Sequence, residues 1–428
     1  MPANGLKNSS AKKNMSLPLR WVPSLYLIEG LPNAVVVTLA VIMFKDMGID
    51  NAKVAMYTSL LYLPWAIKPF WAPFVDIMLT KRIWTVMMQF ALCAGMAGVA
   101  IALPTPAFFS FSLAAFWGIA FCSATHDIAA DGYYLLALDR DQQAFYVGIR
   151  STFYRLANLM TSGGIVFAAG VLINRGIAVS TAWSIMFVVL SAMLLAAAIY
   201  HSFALPRPSA DKPDKENSAG KILRGFAQTF TTFVAKKHFI SALAFMLLYR
   251  LPEALLGKMV QPFLKDPLSV GGLGLSTEQI GIAYGTFGVT GIVLGGIIGG
   301  MCVSRYGLKR MLWPMALSLT LPSAFYWYLA VAQPSQMWLI SSGIFVEQFG
   351  YGFGFTAYMM YLMYFSEGSE YSTSHYAFCT GIMALGLMLP GLMAGHLELA
   401  VGYVNFFMTV MICCIPTFAV CALVKIKN

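Results

Sequence analysis

Charge is what this chain has least of. Only 11% of its 428 residues are Asp, Glu, Lys or Arg, against about 25% in an ordinary soluble domain. That scarcity excludes a water-solvated globule of the usual make-up. Cysteine is sparse too. Cys93, Cys122, Cys302, Cys379, Cys413, Cys414 and Cys421 are scattered, mostly inside apolar runs, with no CxxC and no His/Cys ligand spacing. They read as small apolar fillers, so no disulfide framework and no metal site are expected. The run "GYGFGF" is no phosphate loop, because it lacks the flanking strand and the lysine. With no plausible nucleophile–base pair either, the chain is not expected to be an enzyme or to carry a cofactor. The first residues, "MPANGLKNSSAKKNMSLPLR", have no apolar core, so no cleavable signal peptide is expected before the first helix.

What is present is apolar length. Hydrophobic residues make up 59% of the chain and the mean hydropathy is +0.71. A helix needs roughly 20 mostly apolar residues to cross a bilayer. Twelve segments qualify: about 20–44, 54–76, 83–103, 107–137, 145–173, 178–204, 238–264, 277–302, 311–331, 336–365, 372–397 and 400–424. They are too long and too continuous for barrel strands of about ten alternating residues. The expected class is therefore an all-α membrane protein.

The net charge of +10 is a topology signal rather than a nucleic-acid footprint. Lys7, Lys12, Lys13, Arg20, Lys81, Arg82, Arg140, the bases from Arg207 to Lys237, Arg305, Lys309, Arg310, Lys425 and Lys427 lie in the tails and even-numbered loops. Only Lys45, Lys53, Arg175 and Lys265 lie in the odd-numbered ones. The positive-inside rule then puts both termini in the cytoplasm. The expected partners are membrane lipid and a small molecule, not nucleic acid, and a monomer is expected.

The longest polar segment, Pro206 to Lys237, divides the twelve helices into six and six. Its first part, "PRPSADKPDKENSAG", is a linker by composition. In "KILRGFAQTFTTFVAKK", Ile222, Phe226, Phe230 and Phe233 share one helical face, which predicts a helix at the cytoplasmic interface. The expected organisation is a tail over 1–19, a bundle over 20–204, the linker over 205–237 and a second bundle over 238–428. The halves echo each other. At a constant offset, Leu31, Pro32, Ala34, Lys45 and Asp46 meet Leu251, Pro252, Ala254, Lys265 and Asp266, and the same offset pairs Asp127 with Glu347. Two pseudo-symmetric six-helix bundles around a cytoplasmic linker are the plan of the major facilitator superfamily. "GGMCVSRYGLKRML" between helices 8 and 9 resembles that superfamily's short cytoplasmic loop.

Ten ionisable residues fall well inside the predicted helices: Glu29, Asp127, Asp131, Glu253, Glu347, Lys68, Arg150, Arg155, Arg250 and Lys258. Each costs about 2.5–3.5 kcal/mol at a helix centre. Ten facing lipid would exceed the whole stability of a typical domain, about 5–15 kcal/mol. They must pair or face a watered interior. Asp127 and Asp131 are four apart and share a face. A short loop makes helices 4 and 5 antiparallel neighbours, so Asp131 is expected to meet Arg150 and Asp127 to meet Arg155. Such a network is either a clamp or a gating and proton-coupling site that includes Glu29 and Lys68. His126 reads as a packed neighbour. The stretch "YRLPEALLGKMVQPF" offers Tyr249, Arg250, Glu253, Lys258 and Gln261 as substrate ligands, with Arg250 suited to a carboxylate. Helix 10 adds Glu347, Gln348, Tyr351 and Tyr358, whose flat faces suit sugar rings. For both helices, plain packing is the competing reading.

"GLPNA", "KPFWAPFVD", "ATHDIAADGYYLLAL", "YRLANLMTSGG", "EQFGYGFGFTAYMM" and "STSHYAFCTGIMALG" together resemble the peptide–acetyl-CoA–drug transporter family, nearest its AmpG-type muropeptide permeases. The resemblance runs from about residue 25 to about 400. It implies a bacterial inner-membrane permease importing anhydro-muropeptides or related amino-sugars on the proton gradient. On the family pattern it places Lys68, Asp76, Asp127, Asp131, Arg155 and Glu347. The chain departs at His126, where those permeases typically have Gln, and in stopping after twelve helices. Carriage of an acyl-CoA or another anionic metabolite is the second transport reading. A non-transporting sensor or scaffold is the alternative of another class, disfavoured by the short loops.

Overall fold

The computed structural model describes residues 18–212, 219–367 and 372–426. The N-terminal tail before Pro18 and residues 213–218 of the linker lie outside them, as do the side chains of Asp76 and Ile222. Among the described residues every regular element is helical. The longer ones in chain order are α1 (Pro18–Asp46), α2 (Asn51–Leu60), α3 (Lys81–Ala102), α4 (Phe108–Ala137), α5 (Arg140–Leu159, continued by Met160–Ile165 and Val166–Asn174), α6 (Val179–Ala204), α7 (Ala219–Val234), α8 (Phe239–Lys265), α9 (Thr277–Tyr306), α10 (Leu308–Ala332), α11 (Met337–Ser366), α12 (Ser372–Ile412) and α13 (Cys414–Leu423).

Nine stretches of the described residues are long and apolar enough to cross a bilayer. Local chemistry reconciles that with twelve predicted crossings. The second crossing is fragmented: beyond α2 it continues as Leu63–Ile67, Lys68–Phe70 and Ala72–Met78. Pro64, Pro69 and Pro73 each remove a backbone donor there. The tenth, α11, spans 30 residues but carries Glu347 and Gln348 in its middle. The eleventh and twelfth are fused in α12, which is broken at Gly402 with φ 73° and ψ 164°. Glycine enters that region without a Cβ penalty, and α13 completes the last crossing.

Prolines also shape the two helices that open the halves. Pro32 sits inside α1, and the wide π-turn Val35–Leu39 follows it. In α8 the ladder is interrupted at Tyr249 and Arg250, and Pro252 stands in the first turn of the restarted helix. A missing N–H costs nothing at that position.

Packing divides the chain into two compact units. Among the described residues, one comprises 18–36, Phe70–Thr161 and 183–212; the other comprises Val37–Pro69, Ser162–Ala182, 219–367 and 372–426. In the first, Trp21, Tyr26, Tyr133, Tyr134 and Tyr146 form an aromatic core. Trp21 meets Tyr133, and Tyr26 meets Tyr134, edge to face. Gly30 seats α1 on α5, since an added Cβ would stand 2.7 Å from the Tyr154 carbonyl oxygen.

In the second unit, glycine seats α9 on α11. A Cβ on Gly295 would lie 2.2 Å from the Phe349 oxygen, and one on Gly352 would lie 2.4 Å from the Ile292 oxygen. Such close approach gains dispersion contact where lipid removes the hydrophobic drive. The linker helix α7 presents the aromatic face its spacing predicts: Phe226, Phe230 and Phe233 all pack on Phe378 of α12. Just past it, the Lys236 ammonium donates to the carbonyls of Phe365, Ser366 and Glu367 at 2.6, 3.0 and 2.8 Å. It thereby caps the negative end of α11, although burial holds it below the usual lysine range.

Candidate functional site

The embedded charges gather in three places. The first lies in the unit that holds α3 and α4. One carboxylate oxygen each from Glu29, Asp127 and Asp131 lies within 4.8 Å of the others. Asp131 and Asp127 are one turn apart on α4, and Glu29 comes from α1. Arg150 of α5 answers with a 2.7 Å contact to Asp131, and its guanidinium stacks 4.4 Å from the Tyr26 ring centre. The Tyr26 hydroxyl donates to Asp131 at 3.2 Å. The predicted second pairing is corrected: among the described residues no ion pair joins Arg155 to Asp127. Asp127 is instead drawn into the three-carboxylate group, and Arg155 lies half-buried on α5.

Behind α4 runs a relay of neutral groups that sequence reading missed. Ser24 Oγ meets His201 Nε2 at 2.9 Å, His201 Nδ1 meets Gln89 Oε1 at 2.9 Å, and Gln89 Nε2 meets His126 Nε2 at 3.0 Å. The carboxamide sets the direction: its oxygen accepts from His201, and its N–H donates to His126. Gln89, His126 and His201 are all buried. His126 is thus more than a packed neighbour. It is held at one end of a hydrogen-bonded chain running through α1, α3, α4 and α6.

The second place is the middle of α8. Arg250 Nε and Nη2 donate to the two oxygens of Glu253 at 2.6 and 2.5 Å. The guanidinium also lies 4.7 to 5.6 Å from the ring centres of Phe355, Tyr351 and Tyr358. This fork-to-fork pair already occupies the geometry proposed for a ligand carboxylate. Tyr249 and Tyr358 are fully buried, with hydroxyls spent on the carbonyls of Gly354 and Met246. In this structure they knit α8 to α11 rather than face a ligand. Tyr351 and Gln348 remain partly exposed. Glu347, also only half-buried, accepts from the Tyr326 hydroxyl at 2.9 Å. Lys258 and Gln261 are buried, and Lys258 Nζ reaches Thr58 Oγ1 at 3.1 Å. Lys68 opens the short turn Lys68–Phe70.

The third place joins the repeats noticed in the sequence. Lys45 Nζ meets Asp266 at 2.6 Å, and Lys265 Nζ meets Asp46 at 2.6 Å. Asn51 knits the first pair: its oxygen accepts from Lys45 at 2.6 Å, and its amide donates toward Asp266, Glu398 and Tyr403 at 3.0, 2.8 and 2.9 Å. Thr277 knits the second, donating to Asp46 while accepting from Lys265. Gly395 and Gly170 permit the approach, since added Cβ atoms would meet the Asn51 oxygen at 2.3 Å and the Glu278 nitrogen at 2.2 Å. All these residues belong to one compact unit.

The sequence matches the model of the Major Facilitator Superfamily over residues 24–395. It is 23% identical over 378 residues to the anhydromuropeptide permease of Escherichia coli (strain K12), covering 86% of this chain and 72% of that protein. It is 23% identical over 399 residues to a Rickettsia conorii protein provisionally named transporter AmpG 4, covering 91% and 92%. Among solved structures, the fold is similar to the nucleoside transporter NupG (TM-score 0.69, 15% identity, 96% and 100% covered). It is also similar to the inward-open xylose transporter XylE from E. coli (TM-score 0.67, 12% identity, 94% and 95% covered). The match of the family model over residues 24–395, most of the chain, makes this all-helical chain a member of the Major Facilitator Superfamily of membrane-spanning secondary transporters.

Proposed function

We propose that the protein imports anhydro-muropeptides or related cell-wall amino-sugars across the bacterial inner membrane, coupled to protons, with both termini in the cytoplasm. The observation that carries the coupling is the group formed by Glu29, Asp127 and Asp131. Three carboxylates that close repel one another unless a proton or a cation shares the space, and Arg150 pairs with Asp131 among them. A proton bound there moves with the helices that hold it. The similarity to anhydromuropeptide permeases supports the substrate class.

The reciprocal Lys–Asp pairs support alternating access. Each joins the end of α1 to the loop that follows α8, so each bridges the first half to the second. On the basic-loop asymmetry this is the non-cytoplasmic end. Glu29, Asp127, Asp131 and Arg150 serve as the coupling group, with Lys68 and Arg155 as gating residues. Glu347, Gln348 and Tyr351 serve on the substrate side.

Counterflow of labelled N-acetylglucosaminyl-1,6-anhydro-N-acetylmuramic acid into proteoliposomes tests the reading. Exchange that unlabelled disaccharide accelerates is expected. Lack of exchange, together with exchange of coenzyme A, would replace it with the anionic-metabolite reading.

A further inference from the structure

Lys258 is only 3% exposed, yet among the described residues no carboxylate pairs with it. Its protein contacts are the Thr58 hydroxyl at 3.1 Å and the face of the Tyr62 ring, 5.0 Å from its centre. Four other bases in or at the ends of the helices are treated differently. Arg250 has Glu253, Arg150 has Asp131, Lys45 has Asp266 and Lys265 has Asp46. A buried cation left to a hydroxyl and a ring is poorly compensated.

Two more polar groups beside it are unspent. Gln261 follows by three residues on the same face of α8, and its buried Oε1 has no hydrogen-bond partner. Ser59 Oγ of α2 is buried and likewise unpartnered. Gly391 of α12 shows that Ser59 and Lys258 adjoin, because a Cβ there would stand 2.3 Å from Ser59 Oγ and 3.3 Å from Lys258 Cγ. Native interiors leave few such groups unsatisfied, and each one left so calls for an explanation. Two, one from each of two helices, lie beside this amine.

We infer that Lys258, with Thr58, Ser59 and Gln261, forms a subsite for one carboxylate of the transported molecule. Lys258 supplies the charge, the Ser59 hydroxyl donates to a carboxylate oxygen, and Gln261 contributes its N–H groups, while Thr58, whose own proton goes to the Val54 carbonyl, steadies the amine. The charge count selects the ligand class. One uncompensated base suits a singly charged carboxylate. A diphosphate brings two or more charges and finds one base, because Arg250 is already bound to Glu253. This inference deepens the import reading and rests on it for the identity of the ligand, the peptide-free anhydro-disaccharide, whose lactyl group carries such a carboxylate.

The test uses the purified full-length chain, with the anhydro-disaccharide acid and its methyl ester as probes. Wild type is expected to bind the acid about ten- to a hundredfold more tightly than the ester, the range of one charge-assisted contact. Lys258→Met should bring the two within about twofold, while Lys258→Arg keeps the preference. Gly391→Ala crowds Ser59 Oγ and the Lys258 stem without changing charge and should weaken acid binding more than ester binding, which serves if the Met variant does not fold. A preference unchanged in Lys258→Met, or no preference in wild type, overturns the subsite. If wild type binds neither probe, the muropeptide reading fails, and melting with N-acetylmuramate, lactate and acetate decides the subsite. Protection of wild type that is lost in Lys258→Met upholds it; no protection by any carboxylate overturns it.

Discussion

Lys45 and Asp266 stand 2.6 Å apart, one from each half of the chain, and their sequence counterparts Lys265 and Asp46 make the same contact in mirror order. A two-residue repeat thus becomes two crossed ion pairs related by the pseudo-symmetry of the halves. Removing one partner of such a pair leaves a charge with little water around it, and the loss is typically about 3–5 kcal/mol when fully buried. These side chains are 15% and 12% exposed, so a smaller loss applies.

Lys45→Met and Asp266→Asn should each lower thermal stability in detergent by about 1–3 kcal/mol. The charge-swapped double variant Lys45→Asp with Asp266→Lys should recover at least half of that. Independent additivity of the two changes in the double-mutant cycle would show that the pair does not couple.

The relay through Gln89 carries a second prediction. Gln89→Leu removes the shared partner of two buried histidines and should cost about 1–3 kcal/mol per orphaned group. His126→Gln keeps an acceptor at that end and should stay within about 1 kcal/mol of wild type. Chemical melts of the three proteins check the order, and equal loss in both variants would contradict the relay.

The seam between α9 and α11 gives a steric test with an internal control. Gly295→Ala puts a Cβ 2.2 Å from the Phe349 oxygen, whereas a Cβ on Gly300 meets nothing within 4 Å. The first should destabilise by about 1–3 kcal/mol and the second by little. Matching melting temperatures for the two variants would refute close backbone packing at this seam.

Much of this was readable in advance, and the gaps have physical reasons. The contact of Asp131 with Arg150 followed from a short loop and helical spacing. The face of α7 followed from the period of Phe226, Phe230 and Phe233. The Lys–Asp repeats were visible, but a repeat does not say that each lysine would find the other half's aspartate. Asn51, Glu398 and Tyr403 were missed because residues near helix ends look solvated in sequence. Ser24, Gln89 and His201 lie far apart along the chain and carry no spacing signal. Arg250 was offered to a ligand carboxylate because a partner three residues on shows itself only once rotamers are known.

The coupling group can be separated from the rest of the machinery. Glu29→Gln, Asp127→Asn and Asp131→Asn each remove one carboxylate from the group that Arg150 joins through Asp131. Gradient-driven accumulation should fall at least tenfold in the responsible variant, while counterflow persists. Simultaneous loss of both in all three variants, with normal folding, would point to a clamp instead.

The most direct measurement is accumulation of the labelled anhydro-disaccharide in proteoliposomes, with and without an imposed proton gradient. Accumulation above the equilibrium level, driven by protons entering with the sugar and abolished by an uncoupler, is the predicted result. Uptake that only equilibrates, whatever the gradient, would contradict proton coupling.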